Sequence, residues 1–389
     1  MGTGMTPAAR IAAAAEIIDS ISAGLPAEKA LLRWSRNSRF AGSKDRAAVR
    51  DHVFEVLRRW RSTAAQGGGS DGRSRMIGLL RQQQVDPDTI FTGEGHAPAA
   101  LSDAERAAGA LPEGNDLLDL PDWLADRLGA SLGDRLAPAA EMLRHRAPVF
   151  LRVNTRRCSL EAAQAALADE GIETRLHGLA STALEVTAGE RGVGRSAAYA
   201  DGLVELQDVA SQAVVEALPL SPGLRVLDYC AGGGGKALAM AARTGGEIIA
   251  HDANPERMAD IPARAARAGA RILTADAPEG PFDLLLCDVP CSGSGAWRRS
   301  PDGKWRLDPD GLAELCRLQA EILDTAARLV APGGILAYAT CSMLAEENGD
   351  ATRGFLDRMP EWTSQFERQF LPQDGGDGFY LRLLAAPGA

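Results

Sequence analysis

Two short segments each place a cysteine where it could act in catalysis. One reads Asp288-Val-Pro-Cys291 and the other Thr340-Cys341-Ser342, so fifty residues separate the two sulfurs. A cysteine thiolate adds to electron-poor carbon atoms, and a second group close by can remove or return a proton. The two segments therefore predict covalent catalysis, with one cysteine as the nucleophile and the other as its partner.

A glycine-rich turn upstream predicts a pocket for a nucleoside cofactor. The turn reads Asp228-Tyr-Cys-Ala-Gly-Gly-Gly-Gly-Lys236; glycines let the backbone approach a ligand, and the helix that follows offers its N-terminus. Asp252, twenty residues after Gly232, can bind a ribose hydroxyl pair, and Asp276 can meet an adenine edge. The glycine loop alone would fit a structural turn as well, but loop and carboxylates together predict a cofactor.

S-adenosylmethionine suits this pocket better than a nicotinamide dinucleotide does. Its ammonium and sulfonium groups match carboxylates at Asp228, Asp252 and Asp276, and the Gly-x-Gly-x-x-Gly order of nicotinamide sites is missing. A methyl donor beside two cysteines suggests a reaction at cytosine. Carbon 5 of cytosine is too electron-poor to attack a sulfonium methyl, but a thiolate that adds to carbon 6 makes carbon 5 nucleophilic. Asp288 could hydrogen-bond the ring near N3 and stabilise that adduct.

These residues need a sheet that brings the ends of several strands together. In the C-terminal half, short apolar strands alternate with helical patterns, which predicts an α/β fold with a mostly parallel, doubly wound sheet and ligands beyond the carboxyl ends of its strands. Residues 207–389 are therefore predicted to be one Rossmann-like domain. Its predicted strands are 224–229, 247–252, 271–275, 282–288, 334–340 and 379–384.

Two smaller units are predicted ahead of that domain. Residues 116–206 mix helical and strand-like patterns, including a helix that follows Ser159, and predict a small α/β module with strands near 150–154, 183–186 and 203–206.

Residues 1–92 are predicted to form an all-α domain. Pro26 suits a first helical position, Ser43 can cap a helix, and the glycines between 67 and 72 break the helical pattern. The stretch 93–115 is rich in glycine and proline and is predicted to be a linker.

The net charge of −10 argues against a protein that binds nucleic acid by bulk attraction. Residues 31–61, however, carry nine basic and three acidic side chains, an excess of six positive charges. A solvated helix face and an RNA contact both explain such a run. Further basic residues alternate with Trp297 and Trp305, which suits phosphate contact and base stacking, although a plain surface loop is the alternative. The candidate RNA-binding residues are Arg152, Asn154, Arg298, Arg299 and Lys304.

Composition predicts a globular protein that stays in the cytoplasm. The chain is 45% hydrophobic and 24% charged, without an apolar run long enough for a membrane helix or a secretory signal at its start. Its six cysteines show no spacing typical of a zinc site, so no metal is expected.

The segments described above resemble the RsmB/Nop/Sun family of RNA cytosine-5 methyltransferases. The likeness runs from Pro121 to the C-terminus, and Gly232-Gly233 replaces the family's more usual alanine-proline. It rests on Leu151-Arg-Val-Asn154, Gln207-Asp208, the glycine loop, Asp288 to Gly293, Arg317-Leu-Gln319, Thr340-Cys-Ser342 with Glu346-Glu-Asn348, and Asp377-Gly-Phe379.

The resemblance implies a class I methyltransferase that acts on RNA with S-adenosylmethionine as its cofactor. It implies Cys341 as the nucleophile, Cys291 as the base or release group, an RRM-like small module and a shortened NusB-like RNA-binding domain at the N-terminus. The implied cofactor site comprises Cys230, Ala231, Gly232, Gly233, Gly234, Gly235, Lys236, Asp252, Asp276 and Asp288. Ribosomal RNA of the small subunit is the expected substrate of a monomeric enzyme. Transfer RNA is the alternative substrate, and a catalytically idle ribosome-assembly factor is the alternative function.

Overall fold

A computed structural model describes residues 4–388 and divides them into two units. The first, which we call the helical unit, contains the chain up to residue 129, residues 134–146 and, from much later in the sequence, residues 297–306. The second, the catalytic unit, contains residues 130–133, 147–296 and 307 onward. No helix among the described residues is both long and apolar enough to cross a membrane.

Helices and strands are numbered in chain order. The helices are α1 (Pro7–Ser22), α2 (Ala27–Asn37), α3 (Ser43–Arg58), α4 (Trp60–Gly67), α5 (Gly72–Gln82), α6 (Asp103–Ala107), α7 (Asp122–Leu132), α8 (Leu136–Leu143), α9 (Leu160–Ala168), α10 (Ala197–Ala200), α11 (Val209–Glu216), α12 (Gly235–Thr244), α13 (Ile261–Ala268), α14 (Gly303–Arg306), α15 (Pro309–Ala327) and α16 (Gly349–Arg358). The strands are β1 (Val149–Val153), β2 (Glu173–Leu176), β3 (Ala183–Ala188), β4 (Val204–Leu206), β5 (Val226–Asp228), β6 (Glu247–Ala250), β7 (Arg271–Thr274), β8 (Phe282–Asp288), β9 (Val330–Thr340), β10 (Thr363–Phe370) and β11 (Phe379–Ala385).

The helical unit is all-α, as its sequence predicts. Helices α1, α3 and α5 bury apolar residues in one core, among them Ile18, Val53 and Ile77. The break between α4 and α5 falls at the predicted glycines. The prediction that Ser43 caps a helix is wrong, because Ser43 is the first residue of α3 and Gly42 stands at the cap position.

The stretch 93–115 is not a linker. Leu101 is buried in the core of the helical unit, and the α6 residue Glu105 forms an ion pair with Arg73 at 2.6 Å. Arg81 also donates a hydrogen bond to the carbonyl of Ala108 at 2.7 Å. Glycine and proline disfavour regular structure here, but they do not prevent the segment from packing. Most of residues 116–146 pack with the helical unit, and the first strand of the small α/β module, β1, begins at Val149.

A four-stranded antiparallel sheet, ordered β2-β3-β1-β4, forms the small module within the catalytic unit. Its core contains Leu151 and Val153 of β1 and Leu167 of α9. A helix, α9, follows Ser159 as predicted, and Ser159 caps it by accepting a hydrogen bond from the amide of Ala162. Sequence patterns miss β2, because its residues are largely exposed and show no apolar alternation.

A seven-stranded sheet, ordered β10-β11-β9-β8-β5-β6-β7, forms the larger part of the catalytic unit. Strands β9, β8, β5, β6 and β7 run parallel, which confirms the predicted Rossmann-like sheet, and β10 and β11 are antiparallel additions. Alternate residues of the central strands, such as Leu284 and Leu285, enter different core clusters, so both faces of the sheet are covered. The six predicted strands are present; β10 was not predicted, because all but its last two residues are exposed.

Candidate active site

The carboxyl ends of adjacent parallel strands form the site. Asp228 is the last residue of β5 and Asp288 the last of β8, and these two strands pair directly. Strand β9 pairs with β8 and ends at Thr340, so Cys341 follows immediately. The register pairs Asp288 with Ala339. The sheet therefore brings the two cysteine segments to one edge.

The sulfur atoms of Cys291 and Cys341 lie 3.3 Å apart. Both side chains are partly buried. The hydrogen bond with Cys341 and then burial raise the pKa of the Cys291 thiol well above its usual value. The geometry suits a pair of sulfurs that share a proton.

A buried carboxylate, Glu347, holds the segments that carry the two cysteines. Its Oε1 accepts hydrogen bonds from the Ser292 amide at 2.7 Å and from Gln319 Nε2 at 3.1 Å. Its Oε2 accepts from the hydroxyls of Ser292 and Ser342, both at 2.5 Å. Sequence reasoning gave Glu347 no role of its own, because the residue stood out only as part of the Glu346-Glu-Asn348 motif.

Asn348 also forms hydrogen bonds with the segment at the end of β9. Its Nδ2 donates to the Ser342 carbonyl at 2.9 Å, and its Oδ1 accepts from the Thr340 hydroxyl at 2.5 Å. Ser294 joins the two segments directly, since its hydroxyl contacts that of Ser342 at 3.0 Å and accepts from the Met343 amide at 2.7 Å. These hydrogen bonds hold the segments that carry the two cysteines against each other.

A cavity of about 160 Å³ lies at the ends of β5 and β8. The residues that line it include Asp228, Cys230, Lys236 and Asp288. Lys236 forms an ion pair with Asp288 at 2.7 Å. Burial lowers the pKa of Lys236, but Asp288 outweighs that effect and leaves it raised. Burial, chiefly, raises the pKa of the Cys230 thiol, which therefore lines the cavity as a neutral group.

The buried carboxyl group of Asp228 is suited to accept a hydrogen bond from a ligand. Its side chain is 1% exposed, and neither carboxylate oxygen has a hydrogen-bond partner among the described residues. Burial, and then the charge of Asp288, raise its pKa to about 7. A buried acid without a partner is unfavourable on its own. A positively charged ligand group, such as the ammonium of S-adenosylmethionine, would satisfy it.

The glycine loop is held in its turn by Asp252, which is 3% exposed. Its carboxylate accepts from the amides of Gly232 at 2.9 Å and Asn254 at 3.0 Å, and it pairs with Arg257 at 3.1 Å. Gly234 has φ +79°, and a Cβ there would lie 2.8 Å from Ile261, so both conformation and space require glycine. Asp276, by contrast, is exposed and lies two residues beyond β7.

Two candidate RNA-binding residues of the small module are structural instead. Arg152 is 5% exposed, and its guanidinium donates to the carbonyl of Gly235 at 2.8 Å and to Gln207 Oε1 at 2.5 Å, so it supports the glycine loop. Asn154 is 6% exposed and donates to the carbonyls of Gly202 and Ala268. Side chains this deeply buried and bonded are not available to a phosphate, which corrects the prediction for both.

Arg298 and Lys304 are also corrected, because each is 1% exposed within the helical unit. The Arg298 carbonyl accepts two hydrogen bonds from the Arg58 guanidinium, and Lys304 Nζ donates to the carbonyl of Arg58 at 3.0 Å. Burial lowers the pKa of Lys304 to about 7. Arg299 is exposed and stays a candidate for RNA contact.

Comparison with known proteins agrees with this geometry. The family described as 16S rRNA methyltransferase RsmB/F matches residues 215–385, and the ferredoxin-like domain of RsmF/B-like methyltransferases matches residues 120–190. Ribosomal RNA small subunit methyltransferase B of Xylella fastidiosa is 31% identical over 390 residues, covering 88% of this chain and 90% of that protein. The chain belongs to the RsmB/F methyltransferase family. The protein of the same name from Vibrio cholerae is 34% identical over 282 residues, 68% of this chain and 65% of that one.

Solved structures share the fold of this RsmB/F member. A methyltransferase homolog protein from Pyrococcus horikoshii superposes with a TM-score of 0.61 at 23% identity, over 69% of this chain and 96% of that one. NSun6 from the same organism, in a structure with SFG, gives a TM-score of 0.62 at 16% identity, over 69% of this chain and 99% of that one.

The cofactor is S-adenosylmethionine, the methyl donor of the family. When bound, it supplies an electrophilic methyl group. The residues present fit it: Asp228 offers a buried carboxyl group, the turn from Cys230 to Lys236 leads into the N-terminus of α12, and Asp252 fixes that turn.

Proposed function

We propose that this enzyme methylates carbon 5 of a cytosine in small-subunit ribosomal RNA through a covalent bond between Cys341 and carbon 6. One observation carries the proposal: two sulfurs 3.3 Å apart beside a cofactor cavity at the carboxyl ends of β5, β8 and β9. A methyltransferase that acts on a nucleophilic nitrogen or oxygen needs no such pair. The names of the relatives from Xylella fastidiosa and Vibrio cholerae support the choice of RNA.

Each residue has a distinct task in this reaction. Cys341 attacks carbon 6 and makes carbon 5 nucleophilic, and Cys291 assists the proton removal that allows the C–S bond to break. Asp288, whose side chain is 28% exposed and oriented by Lys236, hydrogen-bonds the ring near N3 and the exocyclic amine. Asp228, Asp252 and Asp276 hold the cofactor, with Asp276 contributing from the exposed edge.

Substitution of each cysteine tests the mechanism. Cys341→Ala is expected to bind RNA and cofactor but to give neither product nor adduct. Cys291→Ala is expected to accumulate protein covalently joined to RNA, because addition and methyl transfer proceed while elimination is impaired. Denaturing gel electrophoresis with S-adenosylmethionine and substrate RNA would show this adduct as a slow, ribonuclease-sensitive band.

The matched control is the double variant, which should give no slow band because the attacking sulfur is absent. An adduct that persists without Cys341 and vanishes without Cys291 would exchange the two roles. Normal turnover by both single variants would rule out the covalent mechanism, and it would leave the methyltransferase assignment intact.

Transfer RNA is the competing substrate. Bisulfite sequencing of RNA from cells with and without the gene separates the two, since a 5-methylcytosine lost from ribosomal RNA supports the proposal and one lost only from transfer RNA reverses it. Methyl incorporation into bulk RNA by the purified protein would exclude the catalytically idle assembly factor. A monomeric state and a cytoplasmic location stay predictions.

A further inference from the structure

Glu347 has an unusual environment for a carboxylate. It is 0% exposed, yet no cationic side chain pairs with it among residues 4–388. Its oxygens accept instead from neutral groups on three segments: Ser292 after Cys291, Ser342 after Cys341, and Gln319 of α15. Gln319 Nε2 also donates to the Pro290 carbonyl at 2.9 Å. A buried charge without a counter-ion is unfavourable, so its presence here calls for a role in the site.

The negative charge of Glu347 acts on the sulfur of Cys291. After the hydrogen bond with Cys341 and burial, the charges of Cys341 and Glu347 contribute to the raised pKa of Cys291. Tyr338 on β9 and Cys316 on α15 also interact electrostatically with Glu347, and neither carries positive charge. The surroundings of Cys291 therefore favour its neutral, protonated form.

We infer that Glu347 is a positioning residue that assigns the roles of the two cysteines, by clamping their segments together and keeping the proton that the sulfurs share on Cys291. The inference rests on the proposed covalent mechanism. The electron pair that forms the bond to carbon 6 then comes from the Cys341 sulfur, the shared proton stays on Cys291, and the negative charge passes into the pyrimidine ring. In the later elimination, the proton on Cys291 passes to the Cys341 sulfur as the C–S bond breaks, and Cys291 accepts the proton from carbon 5. The pair then holds one proton more than at the start and loses it to water.

Glu347→Gln tests this assignment, because glutamine keeps the size and one oxygen acceptor but removes the charge. The full-length enzyme is treated with iodoacetamide between pH 7 and 9, and alkylation of each cysteine is followed by peptide mass spectrometry. In the unsubstituted enzyme Cys341 is expected to react in preference to Cys291, since the thiolate is the reactive form. In Glu347→Gln the preference is expected to fall severalfold and kcat to fall, while KM for S-adenosylmethionine changes little because Glu347 does not line the cofactor cavity.

Two further variants separate charge from packing. Glu346→Gln removes the same charge one position earlier and is expected to keep the preference for Cys341. Glu347→Asp retains the charge with a shorter reach and is expected to keep most of the preference even where it lowers stability, so it serves if Glu347→Gln does not fold. Equal alkylation of the two cysteines in Glu347→Asp would overturn the inference, as would an unchanged preference in Glu347→Gln.

The outcomes also distinguish this inference from the proposed function. If Cys291→Ala traps an RNA adduct but Glu347→Gln leaves the preference for Cys341 unchanged, only the role of Glu347 is lost. If no variant forms an adduct although Glu347→Gln alters the preference, the covalent mechanism fails and Glu347 still sets the reactivity of the pair.

Discussion

At the residue scale, Asp252 is assigned two roles, and the sequence predicted only one of them. The expected task is to bind the cofactor ribose from the end of β6. The structure adds that the same carboxylate accepts from the Gly232 amide and pairs with Arg257, so it also fixes the glycine loop. The side chain that shapes the glycine loop is therefore also the proposed acceptor for the ribose hydroxyls.

Asp252→Ala is expected to weaken S-adenosylmethionine binding by about 1 to 3 kcal/mol, because a ribose hydroxyl pair and a backbone amide both lose a charged acceptor. Isothermal calorimetry measures the change. Asp252→Asn, which keeps an oxygen for the Gly232 amide, should lose less. Glu256→Ala, an exposed acid four residues later, is the control, and equal affinities for all three variants would contradict the assignment.

At the element scale, α2 and the turn after it carry three of the nine basic residues that the sequence places in residues 31–61. Arg33, Arg36 and Arg39 are exposed at intervals of three, and Phe40 in the same turn is 70% exposed. Arg33, Trp34 and Phe40 also line a cavity of about 790 Å³ in the helical unit. Arginine beside exposed aromatic rings suits single-stranded RNA, in which phosphates and unstacked bases are both accessible.

Two substitutions in this turn are expected to weaken RNA binding in different ways. Arg36→Ser should lower the slope of log affinity against log salt by about 0.7, the value for one phosphate contact on a single strand. Phe40→Ala should weaken binding by about 1 to 3 kcal/mol without changing that slope, since stacking releases no counter-ions. Fluorescence anisotropy with single-stranded RNA across a salt series measures both.

Exposed residues of the helical unit that lie outside α2 and the turn after it provide the controls. Leu111→Ala matches Phe40→Ala and Arg135→Ser matches Arg36→Ser within the helical unit. If Arg36→Ser and Phe40→Ala bind RNA as their controls do at every salt concentration, α2 is a solvated face and nothing more. Point substitutions are preferable to removal of the first 90 residues, because Trp305 packs against the core formed there.

At the scale of the whole molecule, the segment 297–306 leaves the catalytic unit and folds as part of the helical unit. Trp305 Nε1 donates to the Leu57 carbonyl at 2.8 Å, and its ring lies 6.2 Å from that of Trp60. The segment begins only six residues after Cys291. The chain that carries one active-site cysteine therefore continues directly into the core of the helical unit.

Lys304 is expected to make stability depend on pH. Its pKa falls from 10.5 to about 7 in the folded protein, so below pH 7 a buried charge opposes folding. Between pH 7 and 10.5 the unfolded chain binds the extra proton, and the free energy of unfolding should rise with pH by up to about 1.4 kcal/mol per unit. Denaturant unfolding of Lys304→Met should lack this rise, whereas Arg299→Met, at an exposed site in the same segment, should retain it. Parallel pH profiles for Lys304→Met and the unsubstituted protein would show that Lys304 keeps its proton.

The sequence by itself determined the order of the sheet-forming segments and the chemistry at their ends. Short apolar runs between turns specify strands such as 282–288, and the parallel sheet then forces Asp228, Asp288, Cys291 and Cys341 to one edge. That inference needs only local patterns and a topological rule, so it succeeds without contacts. The same patterns do not predict exposed strands such as β2 and β10, because these strands lack regularly spaced apolar residues.

Only the tertiary structure decided which polar residues face solvent and which hold the fold together. Arg152, Arg298 and Lys304 are basic, as RNA-binding residues are, but their neighbours in space bury all three. The side chains of Arg152 and Lys304 donate to backbone carbonyls. Glu347 is the reverse case: it is one acid among 52 acidic residues in the sequence, and its importance arises because Ser292, Ser342 and Gln319, distant along the chain, converge on it. Burial and hydrogen-bond partners depend on long-range packing, which residue type and spacing do not encode locally.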